Sequence, residues 1–330
     1  MSILITGVAG LLGSNFSRYL LNKNYNVVGI DNLSGGYKSF LPNHKNFNFY
    51  NINLDETKKL KKIFDKNKIN TVFHFAAYAA EGLSPFIRNF NYTNNLLPSI
   101  NIINQCIDRE IKVIFTSSMA TYGMQQPPFT ESMTPKPIDP YGIAKYAVEM
   151  DLKVANDQFN LRYTIIKPHN VLGKYQNIWD KYRNVIGIFI RRTLNNEPIL
   201  IYGDGEQTRA FSDVKFYMEP FEKLINNYDG EIFNIGADKY FSIKQVANIV
   251  KEISFKYGFY PEIKYMEARH EVKHAYCDHK KAKELLNFKD DTNLEELIED
   301  MFLWALSEPK RKIKYMNYEI TKNLYEYWKN

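Results

Sequence analysis

The sequence predicts an α/β protein: a doubly wound parallel sheet followed by a smaller α/β lobe. Three observations carry that prediction. Short aliphatic and β-branched runs alternate with helical stretches from residue 2 to residue 166. A glycine-rich loop joins the first strand to the first helix. After residue 170 the loops lengthen and fill with Gly, Asn and Tyr, while strands become short.

The elements follow in order. Residues 2–6 read as a buried strand, 14–22 as a helix and 26–30 as a second strand. Residues 57–66 carry an amphipathic helical pattern, and 71–75 form a third strand. Residues 91–107 read as one helix, apolar nearly all round through Leu96, Leu97, Ile100, Ile102, Ile103 and Ile107. A strand at 113–116, a long helix at 141–159 and a strand at 163–166 complete the first half. Such β-α-β alternation is the signature of a parallel sheet covered on both faces. The second half offers short strands at 199–202, 232–235 and 263–265, and helices at 184–194, 242–257 and 294–306. No repeat or low-complexity linker separates the halves. Residues 1–170 therefore form the sheet domain and 171–330 mainly a lobe packed on it, with the chain able to cross back to the sheet.

Bulk properties exclude several classes. The chain has 330 residues, 45% of them apolar, enough for a sizeable core. No run approaches the ~18–20 apolar residues of a membrane helix. Met1 leads straight into a strand with no basic, cleavable leader. Two scattered cysteines, Cys106 and Cys277, fit a reducing cytoplasm better than a disulfide framework. A net charge of +6 is spread thinly, and the one dense basic run, Lys310-Arg311-Lys312-Ile313-Lys314, reads as solvated surface. Neither a membrane nor nucleic acid is expected as a partner, and no metal-ligand spacing stands out.

Gly7-Val8-Ala9-Gly10-Leu11-Leu12-Gly13 lies between strand and helix. Glycines there permit a tight turn and close approach to a pyrophosphate, and the helix N-terminus presents free N–H groups. Asp31 ends the second strand, where a carboxylate can accept from adenosine ribose hydroxyls. A 2′-phosphate would face that carboxylate, so NAD is favoured over NADP. Further along, Tyr141 and Lys145 stand four residues apart and share a helix face. A nearby cation lowers a phenol from about 10 toward neutrality, making a general base for an alcohol.

These segments resemble the short-chain dehydrogenase/reductase superfamily, in particular its extended epimerase/dehydratase branch. The G-x-x-G-x-x-G spacing, Thr116-Ser117-Ser118 through Tyr122-Gly123, and Tyr141-x-x-x-Lys145 occur in the order expected, and the likeness runs nearly the whole chain. The resemblance implies a Rossmann-like sheet with a C-terminal substrate-binding lobe. Ser118 would be the catalytic hydroxyl beside Tyr141, and Lys145 would also hold the nicotinamide ribose. Around the cofactor it implies Gly7, Gly10, Leu11, Leu12, Gly13, Asp31, Asn32, Ala76, Ala77, Tyr78, Asn95, Thr116, Pro168 and His169. Asn53-Leu54 stands where the family commonly has Asp-Leu or Asp-Ile at the adenine.

The second half implies the substrate class. Pro168-His169-Asn170-Val171-Leu172-Gly173 resembles the family's P-x-N-x-x-G turn, where Asn170 touches the phosphate or sugar region. Gly203 through Phe211 resembles the G-x-G-x-Q-x-R-x-F segment of nucleotide-sugar enzymes, with Arg209 as diphosphate clamp. Arg269 and Glu271 resemble a later pair for phosphate and ribose. Guanidinium forks match phosphate oxygens. The motifs are most similar to UDP-glucose 4-epimerases. Dehydratases and decarboxylases of the branch carry an acid just after the catalytic hydroxyl, where this chain has Met119 and Ala120. Glu81, in the loop after the third parallel strand, is then the candidate acid from elsewhere in the chain. Many UDP-galactose epimerases have a Lys where this chain reads Tyr78-Ala79-Ala80-Glu81-Gly82, so the sugar contacts differ. Tyr276 stands where epimerases of this branch place a residue that controls room for an N-acetyl group, so the resemblance implies glucose and galactose over N-acetylhexosamines.

The expected chemistry is NAD-dependent 4-epimerisation of a nucleotide-diphosphate sugar, UDP-sugar favoured, through a 4-keto intermediate. A 4-keto-sugar reductase and a catalytically silent sugar-nucleotide-binding scaffold are the alternatives. Family members pair the helices at 91–107 and 141–159 with their symmetry mates, which implies a homodimer through a four-helix bundle.

Overall fold

The computed structural model of the chain describes residues 1–268 and 272–329. Strands β1 (Ser2–Thr6), β2 (Asn26–Asp31), β3 (Phe47–Asn51), β4 (Ile69–His74), β5 (Lys112–Thr116) and β6 (Tyr163–Pro168) lie in the first half. Helices α1 (Leu11–Asn22), α2 (Thr57–Lys66), α3 (Arg88–Asn95), α4 (Leu97–Ile107) and α5 (Pro140–Phe159) alternate with them. There follow β7 (Val171–Leu172), α6 (Val185–Leu194), β8 (Ile199–Tyr202), β9 (Thr208–Ala210), β10 (Ser212–Asp213), α7 (Met218–Leu224) and β11 (Ile232–Ile235). The chain continues through β12 (Tyr240–Ser242), α8 (Ile243–Lys256), β13 (Ile263–Met266), β14 (His274–Ala275), α9 (Lys280–Leu286) and α10 (Leu294–Ser307).

The main sheet has seven parallel strands in the order β11-β6-β5-β4-β1-β2-β3. The order reverses beside β1, and such switch points open a crevice at the strands' C-terminal ends. One face packs on α2, α4 and α5 through Leu60, Ile63, Ile102, Ile103, Val148 and Leu152. The other packs on α1, α7 and α9 through Phe16, Leu20, Phe221, Leu224 and Leu286. The second half thus returns a strand and two helices to the sheet before building its own core from α6, α8 and α10.

Three elements differ from the sequence expectation. Residues 91–107 are two helices, broken at Leu96, because Pro98 in the first turn of α4 has no N–H to continue the ladder. Strand β3 was not anticipated. It is the edge strand, alternating Phe47, Phe49 and Asn51 with Asn48 and Tyr50, and its half-exposed pattern carries little aliphatic signal. Helix α1 starts at Leu11, three residues early, with Gly10 at its N-cap. Where caps are explicit the boundaries fall as expected: Asn184 caps α6, and Ser242 with Gln245 forms a capping box on α8.

Among the described residues no helix is long and apolar enough to cross a membrane, and no cluster of His, Cys, Asp and Glu could hold a metal ion. Cys106 and Cys277 are buried and unpaired.

Two imidazoles are buried neutral. His74 bonds Thr6 Oγ1 at 2.7 Å and Ser99 Oγ at 2.8 Å, and His169 meets His279 Nε2 to Nε2 at 3.1 Å. Burial pushes both His74 and His169 down to about 3. The unfolded chain takes up these protons below about pH 6.5 and the native state does not. Stability is therefore complete above that pH and falls as the pH drops toward 3, by about 1.4 kcal/mol per pH unit for each imidazole. Urea midpoints measured between pH 7 and 5 should decline accordingly; a flat profile would mean that the native imidazoles protonate.

Candidate active site

The glycine loop turns tightly over the C-terminal ends of β1 and β4. Gly7 has φ +68, and a Cβ there would lie 2.8 Å from the Ala76 amide nitrogen. At Gly13 a Cβ would lie 2.3 Å from the Gly7 carbonyl oxygen, and at Gly36 one would lie 2.1 Å from that of Ala9. Three backbones therefore approach within van der Waals contact, which only glycine allows. Helix α1 carries no acidic residue in its first turn and no side-chain cap, so its N–H groups stay available to an anion.

A cleft opens from this loop. Gly7, Gly10, Asp31, Asn32, Asn53, Leu54, Ala76, Ala77, Tyr78 and Arg183 are among the residues that line it. The Asp31 carboxylate accepts from the Ala9 and Leu33 amides at 2.9 and 2.7 Å. A carboxylate has about four lone-pair positions, so capacity for two ribose hydroxyls remains. Burial still raises Asp31 above the ordinary carboxylate value, with those two amides opposing the shift. Uncapped N–H groups, small walls and a terminal acid fit a dinucleotide.

Helix α5 brings the reactive groups to the same end of the sheet. Asp139 caps it, accepting from the Gly142 amide at 2.9 Å, and Ser84 Oγ accepts from the Tyr141 amide at 3.2 Å. Ser118 lowers the pKa of the Tyr141 phenol, and its Oγ accepts from the Ala120 amide at 3.1 Å. Lys145 is 2% exposed and donates to the Thr116 carbonyl at 2.7 Å. One turn further, Glu149 pairs with Lys167 at 3.1 Å and accepts from Ser117 Oγ; Lys167 also donates to Thr121 Oγ1 at 3.0 Å.

The electrostatics correct one expectation. Burial raises the Tyr141 phenol above its ordinary value, Ser118 lowers it, and Glu81 and Asp139 raise it further. Lys145 Nζ points to Thr116 and stands 5.8 Å from the centre of the Tyr141 ring, so it does not carry the phenol toward neutrality by itself. Burial also brings Lys145 down to about 7, with Glu149 opposing.

The family model described as the NAD dependent epimerase/dehydratase family matches residues 3–236. The chain belongs to that family. It is 29% identical over 351 residues to a UDP-glucose 4-epimerase of Caenorhabditis elegans, covering 94% of this chain and 99% of that protein. It is similar to a UDP-glucose 4-epimerase of Thermotoga maritima solved with UDP-glucose, with TM-score 0.86, 32% identity and coverage of 93% and 99%. It is also similar to a variant UDP-glucuronic acid 4-epimerase of Bacillus cereus solved with UDP-4-deoxy-4-fluoro-glucuronic acid and NAD. There the TM-score is 0.83 at 26% identity, over 93% and 99% of the chains.

The remaining expected residues of this family member fall as follows. Leu11 and Leu12 open α1, and Pro168 ends β6. Thr116 ends β5 and gives its carbonyl to Lys145. Asn95 does not face the cleft: its amide holds the backbone of Tyr78 at 2.7 and 3.2 Å, while Asn94 lines the wall. The His169 ring turns away too, lying tilted against His279 with ring centres 4.8 Å apart. Glu81 starts the 3-10 helix Glu81–Phe86 and acts on the Tyr141 phenol. Asn170 Nδ2 donates to Ala210 O at 2.9 Å, and Arg209 donates to Thr208 O at 2.9 Å. Tyr276 stacks on Tyr240 at 5.3 Å. Arg269 and Glu271 lie outside the described residues. Asp139, Ser84, Glu149 and Arg183 are new to the site. Asp139-Pro140 is an N-cap followed by proline at the first helical position, a readable signal for where α5 begins.

Glu149→Gln leaves two buried ammonium groups without their carboxylate. The expected loss is about 3–5 kcal/mol in urea unfolding at neutral pH. Unchanged stability would show that both lysines are buried neutral.

Proposed function

We propose that the chain interconverts C4 epimers of a nucleotide-diphosphate sugar with NAD as a tightly held cofactor, UDP-glucose and UDP-galactose being the favoured pair. The observation that carries this reading is that Tyr141, Ser118 and Lys145 stand at the same C-terminal end of the sheet as the glycine-loop cleft, with no acid in the turn after Ser118. That turn is the 3-10 helix Met119–Tyr122, with Ala120 buried. An elimination needs a proton donor beside the neighbouring carbon, and Met119 and Ala120 supply none. The names of the similar proteins support the same class.

In this scheme Tyr141 takes the proton of the C4 hydroxyl, and Ser118 holds the oxygen during transfer. NAD, held by the glycine loop and Asp31, would supply the acceptor and then the donor of the C4 hydride, so that no net redox change would occur. The flat 4-keto sugar turns about its diphosphate, and Tyr141 gives its proton back to the other epimer. Lys145 keeps the Thr116 end of β5 against α5. Arg209 is assigned to the substrate diphosphate.

The quaternary reading is a twofold homodimer. Ile143, Met150 and Val154 on α5 and Leu97 on α4 are 43–57% exposed, and α5 presents its three on the face opposite the sheet. A second copy covering that stripe completes a four-helix bundle. Light scattering at micromolar concentration should report a dimer; a monomer overturns this part.

The decisive measurement is incubation with UDP-, dTDP- and GDP-sugars and NMR identification of the products. A C4 epimer formed without added reductant supports the proposal, whereas steady oxidation of added NADH makes the chain a keto-sugar reductase. Tyr141→Phe should lower turnover by about 10²–10⁴-fold while NAD stays bound. A fully active Phe variant overturns the assignment.

A further inference from the structure

Among the described residues lining the dinucleotide cleft, Arg183 is the one cation. It comes from the segment between β7 and α6, next to Asn184, the cap of α6. Its position is built rather than incidental. The side chain is 18% exposed, Nε pairs with Asp180 at 3.0 Å, and one terminal nitrogen donates to the Gly35 carbonyl at 3.3 Å. The guanidinium also lies 4.9 Å from the centre of the Tyr78 ring.

Asp180 is 3% exposed and is itself held, accepting from the Tyr182 amide at 2.9 Å and the Tyr78 hydroxyl at 3.5 Å. Three elements therefore converge on one guanidinium. Of its five N–H groups, those two bonds use two. A Cβ at Gly35 would stand 3.1 Å from Nη2, the nitrogen that donates to the Gly35 carbonyl, and 3.4 Å from Nη1, so glycine keeps the loop directly beneath the fork. The loop is further pinned by Asn177 Nδ2 to Gly35 O at 3.0 Å and by Lys314 Nζ to Ser34 O at 2.6 Å.

The charge count of the cleft calls for such a group. The first wall offers the N–H groups of α1 and the Asp31 carboxylate. A dinucleotide adds two phosphate charges. Helix dipoles carry only about half a charge, leaving the anions undercompensated without a full cation. Arg183 faces the same space, and its planar fork matches phosphate oxygens.

We propose that Arg183, oriented by Asp180, binds the cofactor diphosphate and so clamps the dinucleotide from the second half of the chain. The inference rests on the reading that NAD occupies the cleft, and not on which sugar is turned over. An enzyme that returns its hydride to the same substrate has reason to hold its cofactor with a salt bridge across the loop.

The test compares full-length wild type with Arg183→Met, titrated with NAD+, ADP-ribose and adenosine. Loss of a charge-assisted bond to phosphate should weaken NAD+ and ADP-ribose by about 10- to 100-fold, and adenosine by less than about twofold. Arg183→Lys, which keeps charge but not the fork, should fall between. Equal weakening of adenosine overturns the proposal, since Arg183 would then only hold the loop. Unchanged NAD+ binding, or a loss confined to UDP-sugars, overturns it as well. Wild type that binds no NAD+ sinks the cofactor reading together with the clamp. A diphosphate-selective loss in a chain without epimerase activity leaves the clamp standing and sinks only the sugar chemistry.

Discussion

The architecture of the site depends on one buried ammonium group. Lys145 is almost fully enclosed between α5 and β5, and a charge in that position must find partners or give up its proton. It finds the Thr116 carbonyl at the end of β5 and the field of Glu149 one turn along. Glu149 in turn holds Lys167 from β6 and the Ser117 hydroxyl from the loop after β5. These contacts permit one height and one rotation of α5 on the sheet. Tyr141, one turn before Lys145, is thereby set at the sheet's C-terminal edge beside Ser118. The Asp139 cap and Ser84 fix the first turn from the other side.

The cofactor cleft is closed by parts distant in sequence. Its floor depends on glycine-only approaches at Gly7, Gly13 and Gly36. Its outer loop is tied down by residues 177–183 and by the C-terminal segment. Arg311 lies 3.9 Å from the centre of the Tyr37 ring and pairs with Glu308 at 2.8 Å, so a residue of the basic run is packed rather than solvated. Glu319 accepts from the Asn89 and Phe90 amides at 2.7 Å each and so caps α3, whose last residue, Asn95, holds Tyr78. The C-terminal segment therefore supports the same tyrosine that Arg183 and Asp180 contact.

Local signals were legible in the sequence and long-range ones were not. The glycine loop, Asp31, Ser118, Tyr141 and Lys145 are fixed by spacing within single β-α units, and the structure gathers them at one end of the sheet. The break at Leu96 was readable from Pro98, but the continuous apolar pattern of residues 91–107 masked it. Asn95 and His169 were placed at the cofactor by motif, yet a motif fixes a backbone position and not where a side chain points. Asn95 bonds Tyr78, and the His169 ring fills space beside Gly236 and His279. Arg183 was illegible for the opposite reason. It lies in no motif, and only the return of the second half over Gly35 gives it meaning. The same holds for Lys314, read as surface charge until its bond to Ser34.

The tyrosine's electrostatics explain why these distant residues belong to the catalytic problem. Burial opposes ionisation of Tyr141, and Glu81 and Asp139 add to that opposition. Against them stand the neighbouring Ser118 and the field of Arg183. Lys145, committed to Thr116, contributes position more than charge. A phenol so placed is a poor base unless positive charge gathers in the cleft. Under the proposed function a positively charged dinucleotide ring would supply that charge. The phenol is held protonated first by burial and then by Glu81 and Asp139, while Ser118 and the more distant Arg183 oppose them, so residues from both halves of the chain set the basicity of Tyr141.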